Sequence, residues 1–195
     1  MDERPIDGGR SVYSRGAIAF HWMIGLLILV NLAIGFLHES FERWFQWQAM
    51  GFHKSTGLLV LILTVGRILW RLTHRPPPLP RTVRAWERGV AHLTHWTLYA
   101  LMLLLPLTGW LMSSAGRRRY PLDFYGVWNV PYLPIAQDAA AARVFADRHE
   151  TFGWIALALI ALHLAGALKH TFVDRDDTLH RMLPLAFLRA RDRTA

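Results

Sequence analysis

Four histidines lie within or at the ends of long apolar segments, and their positions point to chemistry: His21, His53, His149 and His163. An ionisable side chain at membrane depth is costly, so it usually has a partner and a function. His149 and His163 are 14 residues apart, close to four turns of an α-helix. Both side chains would therefore face the same way, about 21 Å apart along the axis. This spacing suits two cofactors stacked across a bilayer.

A small residue follows each of these histidines by about one helical turn. The residues in question are Gly25, Gly57, Gly153 and the neighbours Gly166 and Ala167. A planar macrocycle bound to a helical histidine lies close to the helix surface, so a small residue one turn away makes room for it. Close helix–helix packing is the alternative explanation, because small residues serve that purpose too. His92 and His95 are instead followed by Trp96 and Tyr99, so the pattern favours the first four histidines as ligands.

Four apolar segments must position these side chains, at about residues 16–37, 51–69, 90–114 and 149–170. Each approaches the roughly 20 residues that a membrane-spanning helix needs. The first is too long for a secretory signal and no small-residue cleavage site follows it, so we expect a retained helix. Residues 1–195 are therefore predicted to form a single domain. Its fold class is all-α, an integral membrane four-helix bundle with up-down topology.

Composition agrees with a small membrane protein. The chain is 53% hydrophobic, and its mean hydropathy of +0.20 is lowered by charged connecting segments. It contains no cysteine. This excludes disulfides, thiolate metal sites, iron–sulfur clusters and covalently attached c-type haem.

Basic residues are concentrated on one side of the predicted bundle. Of 22 Lys+Arg, the following lie before helix 1, between helices 2 and 3, or after helix 4: Arg4, Arg10, Arg15, Arg67, Arg71, Arg75, Arg81, Arg84, Arg88, Lys169, Arg175, Arg181, Arg189, Arg191 and Arg193. The positive-inside rule then places both termini in the cytoplasm. The net charge of +8 therefore indicates membrane topology, and no nucleic acid partner is expected.

Depth along the helices pairs the four ligands. His21 begins helix 1 and His163 is far along helix 4, so both should lie toward the cytoplasm. His53 and His149 open helices 2 and 4, so both should lie toward the outer side. Two bis-histidine sites follow, and haem b suits them because side chains in a bundle core can hold it without a covalent link. Zinc is a poor alternative, since no carboxylate ligand is available at either level.

Several short motifs resemble the bacterial cytochrome b561 family. They are Phe20-His21-Trp22, the stretch 51–57, the stretch 91–95, the stretch 107–110, and His149-Glu150 followed by His163. The resemblance extends over about residues 13–184, and the di-haem cytochrome b subunits of membrane formate dehydrogenases and NiFe hydrogenases have a similar layout. It implies two b haems ligated as paired above and electron transfer with a quinone. The family includes a superoxide oxidase that passes electrons to ubiquinone.

These observations predict a multi-pass protein of a bacterial-type inner membrane that moves electrons between a periplasmic donor and the quinone pool. Superoxide is the favoured donor, which would make the protein an enzyme, a superoxide:quinone oxidoreductase. One alternative is the cytochrome b subunit of a membrane dehydrogenase or hydrogenase complex. A second is a structural or sensory membrane protein without redox turnover.

Further polar side chains are candidates for accessory roles. His95 and, more weakly, His92 are expected to contact haem propionates or a quinone carbonyl, or else to be interfacial residues. His170 is a candidate for the quinone site or for a purely interfacial role, and Arg67 and Arg71 for propionate pairing or helix anchoring. The run Arg117-Arg118-Arg119 lies on the outer side, against the positive-inside trend. It either steers superoxide toward the outer haem or anchors the loop to lipid phosphate.

Overall fold

The computed structural model describes residues 12–45, 49–78, 83–118 and 122–184. Within these ranges it contains four long helices, α1 (Arg15–Phe45), α2 (Ala49–Thr73), α3 (Ala85–Ala115) and α4 (Ala139–Lys169). All four are long and apolar enough to cross a membrane. The predicted all-α membrane bundle is therefore confirmed. A π-helical turn (His170–Asp174) and a 3₁₀ turn (His180–Met182) follow α4.

The helices extend beyond the apolar segments from which they were predicted. The largest difference is at α4, which begins at Ala139 rather than near residue 149. Asp138 caps it, because its side chain accepts a hydrogen bond from the amide of Ala140 at 2.8 Å. Hydropathy marks only the part of a helix inside the hydrocarbon, whereas capping residues and helix propensity determine where the helix itself begins.

The bundle consists of two closely packed helix pairs, α1 with α2 and α3 with α4, joined along α2 and α3. Its interior contains small and β-branched residues, including Ile24, Val60 and Ala156. Large apolar side chains cover the outside, with Leu72 76% and Leu93 70% exposed. Exposed apolar surface distributed over all four helices indicates that lipid surrounds the bundle.

A β-hairpin that the sequence did not predict lies between α3 and α4. Its strands, β1 (Leu122–Phe124) and β2 (Trp128–Val130), are antiparallel, with Phe124 opposite Trp128. The hairpin packs on the start of α2. Ser55 Oγ lies 2.6 Å from the carbonyl oxygen of Asp123, and Thr56 Oγ1 lies 2.8 Å from Tyr125 Oη. The aromatic connection therefore covers the end of the bundle where α2 begins.

The opposite end of the bundle brings the two ends of the described chain together. The indole of Trp22 donates a hydrogen bond to the carbonyl of Met182 at 2.8 Å, and the amide of Tyr13 lies 3.4 Å from the carbonyl oxygen of Arg181. Four antiparallel spans require this arrangement, because an even number of crossings returns the chain to its starting side. Which side of the membrane this is stays a prediction.

Candidate functional site

The four helices place chemically distinctive residues at two levels of the bundle, and on each helix the two positions are 14 residues apart. The level nearer the β-hairpin, the hairpin level, comprises Gly35, His53, Gly109 and His149. The level nearer the chain ends, the terminal level, comprises His21, Arg67, His95 and His163. The sequence predicted that His53 and His149 would share one depth and His21 and His163 the other, and the helices arrange them so.

The histidines of each pair face one another across the bundle at nearly the same distance. The ring centres of His53 and His149 are 5.9 Å apart, and those of His21 and His163 are 6.0 Å apart. Two imidazoles on opposite sides of one metal ion, each with a metal–nitrogen bond of about 2 Å, have ring centres about 6 Å apart. The spacing of both pairs therefore fits a single metal ion between them.

Backbone carbonyls orient both histidines of the hairpin level. His53 Nδ1 lies 3.0 Å from the carbonyl oxygen of Asn31, and His149 Nδ1 lies 2.9 Å from that of Leu105. A carbonyl can only accept, so each Nδ1 carries the proton and each Nε2 keeps its lone pair. Metal-binding histidines are commonly held in this way, with the second ring nitrogen bonded to a carbonyl.

The terminal level differs because it contains three histidines and a cation. Arg67 Nη1 lies 3.4 Å from His21 Nδ1, while Arg67 Nε donates to Tyr99 Oη at 2.9 Å. The ring of His95 is centred 5.3 Å from that of His163. His163 thus faces both His21 and His95. His95 is also exposed at the edge of the bundle.

Among the glycines predicted to make room for a cofactor, Gly25 and Gly166 have open space beside them, since a Cβ atom at either would meet no heavy atom within 4 Å. A Cβ atom at Gly57 would have only Asn31 Nδ2, at 3.7 Å. A Cβ atom at Gly153 would lie 3.5 Å from Phe36 Cζ, so this glycine packs α4 against α1. Their contact with a cofactor stays a prediction.

Two glycines outside the predicted set of site residues lie directly against the histidines. A Cβ atom at Gly35 would lie 3.0 Å from His53 Cε1, and one at Gly109 would lie 3.3 Å from His149 Cε1. The signal was present, because Gly35 follows His21 by 14 residues and Gly109 follows His95 by 14. The predicted glycines follow their histidines on the same helix, whereas these two contacts come from a neighbouring helix.

Two buried side-chain oxygens of the interior, Asn31 Oδ1 and Thr64 Oγ1, have no hydrogen-bond partner among the described residues. Asn31 lies one turn from Gly35, and Thr64 lies one turn from Arg67, so both face the space between the two levels. Buried polar atoms are nearly always partnered in folded proteins.

A cleft at the terminal end of the bundle combines aromatic and cationic side chains: Tyr13, Arg67, Trp70, Arg71, His74 and Tyr99. Both Arg67 and Arg71 lie over the ring of Tyr99. Burial raises the pKa of Tyr13, an effect that outweighs the opposing pull of the nearby arginines. Its phenol therefore stays protonated at neutral pH and can donate a hydrogen bond into the cleft.

The remaining candidates lie apart from the two levels. His92 is exposed on α3. His170 Nδ1 lies 2.8 Å from Asp176 Oδ2 and 3.1 Å from Asp174 Oδ2, so two carboxylates hold this side chain. Arg117 and Arg118 are exposed beyond the end of α3, whereas Arg119 lies outside the described residues, as does the aromatic Tyr120.

A membrane bundle with paired interior histidines at two depths is the architecture of a cytochrome b-type electron carrier. The model of the family named Prokaryotic cytochrome b561 matches residues 12–185, and the chain belongs to this family. It is 35% identical to cytochrome b561 homolog 2 of Escherichia coli strain K12 over 168 residues, 85% of this chain and 87% of the relative. It is 29% identical to the probable superoxide oxidase CybB of Yersinia pestis over 178 residues, 88% and 96% of the two chains.

A third relative, cytochrome b562 of Cereibacter sphaeroides, is 29% identical over 185 residues, 88% of this chain and 94% of that one. Membership of the family makes this a multi-pass bacterial membrane protein of electron transfer. It also implies that the protein binds haem b and that it exchanges electrons with a donor and an acceptor.

Proposed function

We propose that this protein binds two b haems, one at each level, and transfers single electrons from superoxide to the quinone pool of the bacterial inner membrane. The observation that carries the proposal is the repeated histidine geometry, with ring centres 5.9 Å and 6.0 Å apart at positions 14 residues apart on α4. Bound haem supplies reversible one-electron chemistry at iron. The chain's own residues hold and orient it.

In this proposal His53 and His149 bind one iron, and His21 and His163 bind the other. The carbonyls of Asn31 and Leu105 support the first assignment, because they leave Nε2 of each histidine free to bind metal. The open space beside Gly25 supports the second assignment. Arg67 lies next to His21 and is the side chain best placed to pair with a haem carboxylate at the terminal level.

Superoxide is the proposed donor on two grounds. A relative of similar length is named a probable superoxide oxidase, at 29% identity over 88% of this chain. The exposed cations Arg117 and Arg118 follow α3 at the end of the bundle that carries the β-hairpin. Each superoxide gives up one electron and becomes dioxygen, so two of them reduce one quinone to its quinol with two protons.

The quinone is proposed to bind at the terminal level. His95 is exposed there toward lipid, and its ring is 5.3 Å from that of His163. A lipid-soluble quinone could therefore reach this histidine from the membrane. The neighbouring cleft offers a protonated Tyr13 as a hydrogen-bond donor for a quinone carbonyl.

Stopped-flow mixing of the purified, haem-loaded protein with superoxide tests this proposal. Rapid appearance of the reduced low-spin haem spectrum is expected, followed by its reoxidation when ubiquinone is present. A heat-denatured sample and a sample with added superoxide dismutase serve as controls. If superoxide does not reduce the protein while a chemical reductant does, the proposed donor is wrong.

A further inference from the structure

The two hairpin-level histidines are held by the same arrangement on two different helices. On α1, the carbonyl of Asn31 accepts from His53, and the residue four positions later is Gly35. On α3, the carbonyl of Leu105 accepts from His149, and the residue four positions later is Gly109. We call Asn31 with Gly35, and Leu105 with Gly109, the two carbonyl–glycine pairs. Each pair lies within one of the two closely packed helix pairs of the bundle.

Helix geometry explains why a glycine belongs four residues after the carbonyl. Side chains of an α-helix point back toward its N-terminus, so the side chain of residue i+4 covers the carbonyl of residue i. A glycine leaves that carbonyl open, and its second lone pair can accept from a neighbouring helix in addition to its bond within the helix. A Cβ atom at Gly35 or Gly109 would lie only 3.0 Å or 3.3 Å from the imidazole it faces.

We propose that Gly35 and Gly109 are positioning residues that open these carbonyls to His53 and His149, and thereby make the hairpin level the lower-potential of the two redox sites. The inference rests on the proposed binding of one haem at each level. A hydrogen bond from Nδ1 to a carbonyl raises the basicity of the ligating nitrogen. A more basic ligand stabilises the more positively charged, oxidised iron, which lowers the reduction potential.

The terminal level lacks this arrangement. In the described part of the chain, no backbone carbonyl accepts a hydrogen bond from a ring nitrogen of His21 or His163. The neighbour of His21 Nδ1 is instead Arg67 Nη1, at 3.4 Å. A guanidinium can only donate, so it does not raise the basicity of this imidazole as a carbonyl does.

The consequence is a direction for electron transfer within the protein. One electron leaves the hairpin-level site, which is oxidised, and enters the terminal-level site, which is reduced. A superoxide replaces the electron at the hairpin level and becomes dioxygen, and two such transfers reduce one quinone at the terminal level to its quinol, with two protons. The difference in reduction potential between the two sites would then come from the hydrogen-bond partners of the histidine ring nitrogens. It would not come from the iron ligands, because both sites have two histidines.

Potentiometric titration of the haem spectrum tests the inference with Gly35→Ala and Gly109→Ala. The added methyl group should push the imidazole from its carbonyl and raise the midpoint potential of one haem, leaving the other midpoint unchanged. Electron paramagnetic resonance of the oxidised protein should show altered g values for that haem alone. Gly51→Ala is the matched control, since its Cβ atom on α2 would have no heavy atom within 4 Å. Unchanged midpoints in both variants, with both haems retained, would overturn the inference.

A second measurement avoids dependence on the glycine variants, which could lose a haem. His53→Ala should retain only the terminal-level haem, and its midpoint should match the higher of the two wild-type values. His21→Ala should retain the haem with the lower midpoint. The reverse order, or equal midpoints in the wild type, contradicts the inference. A wild type with a single haem would instead contradict the proposed function on which the inference rests.

Discussion

At the scale of single residues, the terminal level has two histidines, His21 and His95, that could bind the same iron as His163, whereas the hairpin level has a single pair. His163 faces His21 at 6.0 Å and His95 at 5.3 Å, measured between ring centres. Of the two partners of His163, His21 has a small residue one turn later, Gly25, with open space around it. His95 is instead followed by the bulky Tyr99 and is exposed at the bundle edge. We therefore propose that His21 binds iron and that His95 contacts the quinone.

Replacing His95 with alanine tests that assignment. His95→Ala should retain two haems with wild-type spectra but reduce added quinone about tenfold more slowly, the equivalent of one lost hydrogen bond of about 1.4 kcal/mol. The measurement is single-turnover reoxidation of the reduced protein by a ubiquinone analogue. His92→Ala, an exposed histidine one turn away, is the matched control and should react at the wild-type rate. A spectrum showing one haem in His95→Ala would make His95 a ligand.

The histidines were accessible to sequence reasoning, whereas their immediate partners were not. An intramembrane histidine is conspicuous, and a separation of 14 residues predicts a shared face of a helix. The carbonyls of Asn31 and Leu105 carry no sequence signal, because every residue has one. Gly35 and Gly109 could have been found only by comparing depths on different helices. The contact between Thr108 Oγ1 and His149 Nδ1, which are 3.1 Å apart, also joins two helices and could not be predicted from either helix alone.

At the scale of elements, the β-hairpin is the feature that sequence patterning did not predict. Its strands have three residues each, too short for an alternating pattern to be recognised. The turn requires two residues with positive φ, Tyr125 at 52° and Gly126 at 75°. Tertiary contacts with Ser55 and Thr56 hold it against α2. The four helices were predictable by contrast, because long apolar segments in a membrane have few alternatives to α-helix.

Substituting Gly126 in the turn should weaken the packing of the β-hairpin over the hairpin level. Gly126→Ala forces a side chain into left-handed backbone geometry, at a cost of about 1 kcal/mol. We expect a lower temperature for loss of the haem spectrum on heating, with no change in the spectrum at room temperature. Gly89→Ala, at an exposed helical position with open space around it, is the control and should not lower that temperature. Equal melting of both variants would show that the hairpin does not protect this level.

At the scale of the whole molecule, the distribution of basic residues agrees with the end of the bundle at which the helix packing brings the chain ends together. The described ends of the chain meet at the terminal level, and those basic residues of the predicted cytoplasmic side that the structure describes belong to that same end. Six of them lie outside the described residues: Arg4, Arg10, Arg81, Arg189, Arg191 and Arg193. The predicted orientation would place the hairpin level, with Arg117 and Arg118, on the periplasmic side.

If these exposed arginines steer an anion, salt should weaken the effect. The rate of reduction by superoxide should fall as ionic strength rises, since surface charges are screened over a Debye length of about 10 Å at 0.1 M salt. Replacing Arg117 and Arg118 with glutamine should lower the rate at low salt and flatten its salt dependence. Arg143→Gln, which neutralises a single exposed arginine on α4, is the control for loss of surface charge elsewhere. A rate that responds to neither salt nor the double substitution would leave lipid anchoring as their role.

The central claim is that two histidine pairs hold two haems at different depths. Haem quantification by the pyridine haemochrome method, combined with reduced-minus-oxidised spectra of the purified protein, tests it most directly. Two low-spin b haems per chain are expected in the wild type, and one each in His53→Ala and His21→Ala, with the spectra of the two variants summing to that of the wild type. A single haem per wild-type chain, or a high-spin spectrum, would contradict the pairing of His53 with His149 and of His21 with His163.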